Sequence, residues 1–136
     1  MIEKDMMTTS RAIAALIGPT LIAIALAMLF NLGSFPAMID QVSRDPALIF
    51  LSGVLVFVAG LAILRAHNIW TGGWPVLVSV LGALAVLSGL GRMFFPIRLA
   101  EVAAQIGQHR GVMVVAALIF LLLGGFLSVK AYSREV

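Results

Sequence analysis

The stretch Arg65-Ala-His-Asn-Ile-Trp-Thr-Gly-Gly-Trp-Pro75 decides how this chain is read. It gathers His67, Asn68, Trp70, Trp74, the Gly72-Gly73 pair and Pro75, and long apolar runs leave it in both directions. Gly72-Gly73 supplies a turn, and Pro75 suits the first position of a following helix. Trp70 and Trp74 suit the headgroup layer of a bilayer, where an indole is half wet. Arg65 closes the preceding run with a cation, as interfacial anchors do. The stretch therefore reads as the turn between two membrane-crossing helices.

On its two sides lie Ala47–Leu64 and Pro75–Phe95, and farther out Ala12–Gly33 and Gly111–Val129. At 1.5 Å per residue, runs of about 18 to 22 residues extend roughly 27 to 33 Å, enough to cross a hydrocarbon core of about 30 Å. The polar segment Met1–Arg11 ahead of them carries Glu3, Lys4, Asp5 and Arg11. The first run is too long for a signal peptide and lacks an A-x-A site, so a retained first helix is expected, kinked mildly at Pro19.

Composition agrees. The chain has 136 residues, of which 62% are hydrophobic and 11% charged, with a mean hydropathy of +1.12. Soluble domains carry about 25% charged residues, so most of this surface faces something other than water. The pI near 10.2 does not point to nucleic acid, because the nine Lys and Arg sit singly at the ends of apolar runs with no basic run among them. Cysteine is absent, which removes disulfides and thiolate chemistry.

Two intermediate segments are too polar to span. In Ile97–His109, Leu99, Val102, Ala103 and Ile106 follow helical spacing, with Arg98, Glu101, Gln105 and Gln108 opposite. That pattern predicts an amphipathic helix lying in the interface. Met38, Ile39 and Val42 predict a shorter interfacial turn in the first loop. Phe35-Pro-Ala-Met-Ile-Asp-Gln-Val42 and Phe95-Pro-Ile-Arg-Leu-Ala-Glu-Val102 share F-P-x-x-[I/L]-x-[Q/E]-V, and Pro19-Thr-Leu-Ile matches Pro75-Val-Leu-Val. The expected fold is an all-α integral membrane domain over 1–136. Its four transmembrane helices form two parallel-repeat hairpins with short interfacial amphipathic segments, related by an axis along the membrane normal.

Gly53 and Gly60 fall two turns apart on one face of the second run, and Ser79, Gly82 and Gly89 make the third run rich in small residues. Such faces let helices approach closely and are the expected packing surfaces. No run holds Asp, Glu, Lys, Arg or His near its middle, which disfavours proton-coupled transport. His67 and His109 fall on opposite membrane faces, with no carboxylate or thiolate at ligand spacing, so neither a metal nor a cofactor is implied. No catalytic motif is present, and the chain is read as a non-enzyme. Arg65, His67, Asn68, Trp70 and Trp74 are the candidate headgroup or partner-binding group, able to hold a phosphate or carbonyl against an indole. The alternative is that the two indoles only fix helix depth.

The H-N-x-W element at His67–Trp70, with Trp74 four positions on and an apolar run closing at Arg92-x-x-Phe95-Pro96, resembles an element of small bacterial membrane proteins of four helices. That resemblance implies a bacterial inner membrane and carries no activity over to this chain. The expectation is thus a non-catalytic accessory or assembly subunit that packs against other membrane subunits. Alternatives are a small homo-oligomeric channel or transporter, and a lipid- or quinone-headgroup module.

Four spans put both termini and the Arg65–Pro75 turn on one side. Lys4, Arg11, Arg65, Lys130 and Arg134 lie there, against Arg44, Arg92, Arg98 and Arg110 on the other, a slight excess that favours cytoplasmic termini. Reporter fusions after Leu64 and at the C-terminus should report the same side, whereas opposite sides would refute the four-span topology.

Overall fold

A computed structural model describes residues 2–133. Six helices follow one another: α1 (Ile2–Phe30), α2 (Phe35–Ser43), α3 (Pro46–Ala66), α4 (Pro75–Phe94), α5 (Pro96–Gly107) and α6 (Arg110–Tyr132). Four of them, α1, α3, α4 and α6, are long and apolar enough to cross a membrane. The protein is all-α, as its sequence predicts. Their starts are set locally. Pro46, Pro75 and Pro96 stand in the first turns of α3, α4 and α5, where the missing N–H costs nothing. The Asp45 carboxylate caps α3 by accepting the Ala47 and Leu48 N–H groups at 3.0 and 3.3 Å.

Most helix ends differ from the sequence reading by a few residues, and three differences stand out. First, α1 begins at Ile2 rather than Ala12, so the polar segment is helical. Thr8 and Thr9 bond back to the carbonyls of Lys4 and Asp5 at 2.9 and 3.0 Å, and Ser10 Oγ lies 2.8 Å from the Met6 carbonyl oxygen. Those bonds keep the hydroxyls satisfied without breaking the helix. Second, the interfacial turn of the first loop is a helix in its own right, α2. Third, the interfacial helix expected over 97–109 spans 96–107.

The bundle is two seams. In one, α1 packs along α6; in the other, α3 packs along α4. Each seam joins a helix of one half of the chain to a helix of the other. The two halves are thus interleaved, rather than each closing on itself as a hairpin. Glycine brings the backbones together. A Cβ placed on Gly60 would lie 2.6 Å from the Val86 nitrogen and 2.8 Å from the Gly82 carbonyl oxygen. A Cβ on Gly124 would lie 2.9 Å from the Ile22 nitrogen and 2.7 Å from the Gly18 carbonyl oxygen. In both cases the obstacle is the facing backbone, which cannot rotate away.

The two seams are copies of each other. Gly124 stands 64 positions after Gly60, Gly82 the same distance after Gly18, and Val86 after Ile22. The buried residues repeat at that spacing: Ala14 with Val78, Ile49 with Met113, Gly53 with Ala117, and Ala25 with Gly89. Both halves run in the same direction, which gives a two-fold relation along the bundle axis. The interfacial helices follow a different offset, because Phe35-Pro36 and Phe95-Pro96 are 60 apart. Asn31–Ser34 form an extra turn between α1 and α2, and α5 is correspondingly longer than α2. The Phe-Pro starts are therefore true counterparts. Pro19 and Pro75 are not: Pro19 lies inside α1 and Pro75 opens α4. The helix-length correspondence pairs Pro19 with Ala83.

At one end lie the start of α1, the end of α6 and the Arg65–Pro75 turn. At the other, α2 packs on α5, with Ile39 against Gly107. Neighbouring Gly124 and Gly125 make a direct test, since nothing lies within 4 Å of a Cβ on Gly125. Gly60→Ala and Gly124→Ala should each lower stability in detergent by roughly 1–3 kcal/mol, the usual cost of overpacking. Gly125→Ala should leave it unchanged or slightly higher, and equal melting of all three variants would refute the seams.

Candidate functional site

The turn after α3 is shaped by its glycines. Gly72 and Gly73 adopt φ of +95° and +100°, a region that favours glycine. Their turn lets the chain reverse, and the segment before it folds inward. His67 is the consequence. It follows α3 in extended conformation and is only 2% exposed. Its Nε2 lies 2.6 Å from Ser10 Oγ on α1, and its Nδ1 lies 3.1 Å from Ser79 Oγ on α4. Ser79 Oγ also accepts the Ile69 N–H at 3.0 Å and donates to the Ile69 carbonyl at 2.7 Å. Both serines are fully buried. One imidazole thus ties α1, the turn and α4 together.

Proton counting fixes the arrangement of the neutral ring. Ser79 spends its hydroxyl proton on Ile69, so Nδ1 must carry the proton and donate to Ser79 Oγ. Nε2 then accepts from Ser10, whose alternative acceptor, the Met6 carbonyl, still receives a helical N–H. Every polar group in the tether is satisfied in this tautomer. Desolvation by burial pushes the His67 pKa below its ordinary 6.5, outweighing the opposite pull of a backbone hydrogen bond. Water-exposed protonation would place a charge where the protein has removed solvent.

The other residues of the candidate group do not converge with it. Arg65 is exposed in the last turn of α3, where a cation complements the helix C-terminus. Asn68 is exposed, and its side-chain oxygen accepts from Trp70 Nε1. Trp70 is exposed, whereas Trp74 is half-buried against the cluster of Ala14, Val78 and Leu127. The two indoles therefore play different parts: one faces outward, and the other packs. A cavity of about 340 Å³ beside the tether is lined by Asp5, Thr9, His67 and Asn68 among others.

Among the packing residues, Gly53 meets Gly89 and Gly60 meets Gly82, all within the α3–α4 seam. Ser79 lies on the same helix but serves the turn. The signal for its role was its position one turn after Pro75, at the level of the turn rather than mid-membrane. Ser10 was missed because α1 was expected to start after it. His109 caps α6 at the far end of the bundle and is exposed. Among the described residues, no group of three or more His, Cys, Asp or Glu side chains is placed to hold a metal ion.

The arrangement defines a class only: an all-α protein with four helices able to span a membrane and a histidine tether at one end. Neither protein-family models, curated proteins nor solved structures provide a match to this chain.

The tether has a pH signature. A depressed histidine pKa means that the unfolded chain binds the proton first as pH falls. Its contribution is therefore complete above about pH 6.5 and is lost as pH drops below that value toward the folded pKa. His67→Ala should cost about 1–3 kcal/mol, by removing the imidazole's hydrogen bonds to Ser10 and Ser79 and leaving a buried void between α1 and α4. Melting in detergent at about pH 7.5 and about pH 5 should fall more for the wild type than for His67→Gln, with the protonation window set by imidazole chemistry. An equal fall in both would remove the buried imidazole from the account.

Proposed function

We propose that the protein is a non-catalytic accessory or assembly subunit of a membrane complex, in a bacterial inner membrane with its termini on the cytoplasmic side. The reading starts from how its surfaces are used. The close-approach glycines of α3 and α4 are spent inside the chain, so partners must meet the outer faces. Those faces are large and apolar; on α6 they include Leu118, Leu122, Phe126 and Val129, all exposed. One position among these large side chains differs from its neighbours. Gly125, in the same stretch of α6, has nothing within 4 Å of a Cβ placed on it. A glycine among large residues on an outer face leaves a notch one side chain deep, into which a partner helix can settle. That notch is the observation that carries the proposal.

A channel or transporter built from several copies is the second reading. It draws less support, because the two seams bring backbones into contact along the bundle. The larger described cavities lie at its ends, at the turn and beside α2 and α5. Headgroup binding by the Arg65–Trp74 group draws less still, because His67 faces inward and Arg65 outward.

The notch is tested by filling it. Gly125→Leu should leave the isolated protein as stable as the wild type, yet release it from the larger assembly on native gels of mild-detergent extracts. Wild-type protein migrating as a single chain, or Gly125→Leu migrating with an unchanged assembly, would contradict the proposal.

A further inference from the structure

The two-fold relation is broken at one place near the α2–α5 end. In the first half, Met28 on α1 is buried. Its counterpart 64 positions on is Arg92, in the last turn of α4 and half-buried. Beside it, Ser52 on α3 stands where the second half has Ala116. Arg92 Nη1 lies 3.4 Å from Ser52 Oγ, a long contact that leaves most of the guanidinium's donors unused. Two of the other cations at this end, Arg44 and Arg98, differ. Arg44 pairs with Asp40 at 2.7 Å, and Arg98 approaches Glu101 at 3.9 Å. Arg92 has no carboxylate within ion-pair reach among the described residues.

Where the symmetry breaks, a cavity opens. It measures about 370 Å³ and is walled by the apolar faces of α2 and α5, with Phe35, Met38, Ile39 and Leu99 among its lining, while Arg92 and Ser52 enter it from the seam. The volume is within the range of sites that take a small molecule or part of one. Its lining is mostly apolar; the polar members are Ser43, Ser52 and Arg92, which is its single cation.

We propose that this cavity is a binding site for one anionic phospholipid, with an acyl chain between α2 and α5 and the phosphate on Arg92. Three features select that occupant. The site is bordered by the two amphipathic helices, which by their chemistry lie at headgroup depth. A guanidinium with free donors at that depth matches phosphate in charge and in bidentate geometry. The remaining wall is hydrocarbon-like and accommodates an acyl chain but no second charged group. A zwitterionic lipid would bring a quaternary amine alongside the cation, with nothing acidic to meet it. No α6 residue lines this site, which is separate from Gly125 and independent of the assembly reading.

The test uses the full chain, purified in detergent and examined by native mass spectrometry with phosphatidylglycerol, phosphatidylcholine or palmitate added. Wild-type protein should retain one phosphatidylglycerol with about a tenfold preference over phosphatidylcholine, the scale of one charge-assisted contact. Arg92→Met installs the residue that the other half buries at this position. It should stay folded, with unchanged melting in lipid-free detergent, and lose that preference; Arg92→Lys should keep part of it. Ala103→Phe, which narrows the cavity while retaining the cation, should also lose the bound lipid, and it carries the test if Arg92→Met fails to fold. Equal retention of the two phospholipids, retention of palmitate in place of phosphatidylglycerol, or an unchanged preference in Arg92→Met or in a folded Ala103→Phe variant would overturn the assignment.

Discussion

The rest of the structure depends on glycine meeting backbone. In a bilayer the hydrophobic effect cannot hold one apolar helix against another, because lipid is as good a neighbour as leucine. What remains is the dispersion energy of close contact, which requires that side chains be absent where the axes approach. Gly60 on the Gly82–Val86 backbone and Gly124 on the Gly18–Ile22 backbone meet that requirement twice, in the same register. Each contact ties the first half of the chain to the second. The interleaving of the halves follows from where the glycines fall, and α2 and α5 are brought together at one end because both seams are closed.

With the interior settled by two equivalent seams, whatever is individual about the protein lies where the halves differ. At one end the difference is the turn after α3. It folds His67 between Ser10 and Ser79. At the other end it is Arg92 in place of a buried methionine, with the cavity that follows. The first difference uses all the hydrogen-bonding capacity of its polar group and rigidifies. The second leaves donors unused and can take up a ligand. This contrast separates a structural polar site from a binding one on physical grounds, and it moves the focus from the conspicuous His67–Trp74 stretch to an inconspicuous arginine at the far end.

Much of the architecture is legible in the sequence, because a membrane imposes length and hydropathy on every span. The four runs and the interfacial character of the segment after Phe95-Pro96 follow from that constraint. The register of the repeat does not. Apart from the paired glycines, equivalent positions share small or apolar character rather than identity, as in Ala14 with Val78 or Ala25 with Gly89, and letters alone cannot separate this from general apolar similarity. The extra turn Asn31–Ser34 adds to the difficulty by shifting the Phe-Pro elements out of step with the helices around them. The glycine faces were recognisable as packing faces, though not that Gly53 and Gly60 pair with Gly89 and Gly82. The candidate group at the turn includes His67 but not Ser10, since a polar start to α1 looks like a loop until the backbone bonds of its hydroxyls are seen. Arg92 read as one more anchor at a helix end. Only the two-fold comparison with Met28 gives it a distinct meaning.

Cysteine cross-linking tests the interleaved register most directly, because the chain contains no cysteine of its own. Pairs introduced at Gly18 and Ser128, and at Ile63 and Gly82, span the α1–α6 and α3–α4 seams at equivalent levels. A pair at Gly18 and Gly60 would instead span the two helices of the first half, at the same depth. On mild oxidation in native membranes, the first two pairs should form intramolecular disulfides rapidly, and the third should not. Rapid bonding of the Gly18–Gly60 pair with neither seam pair reacting would show two self-contained hairpins and contradict the account.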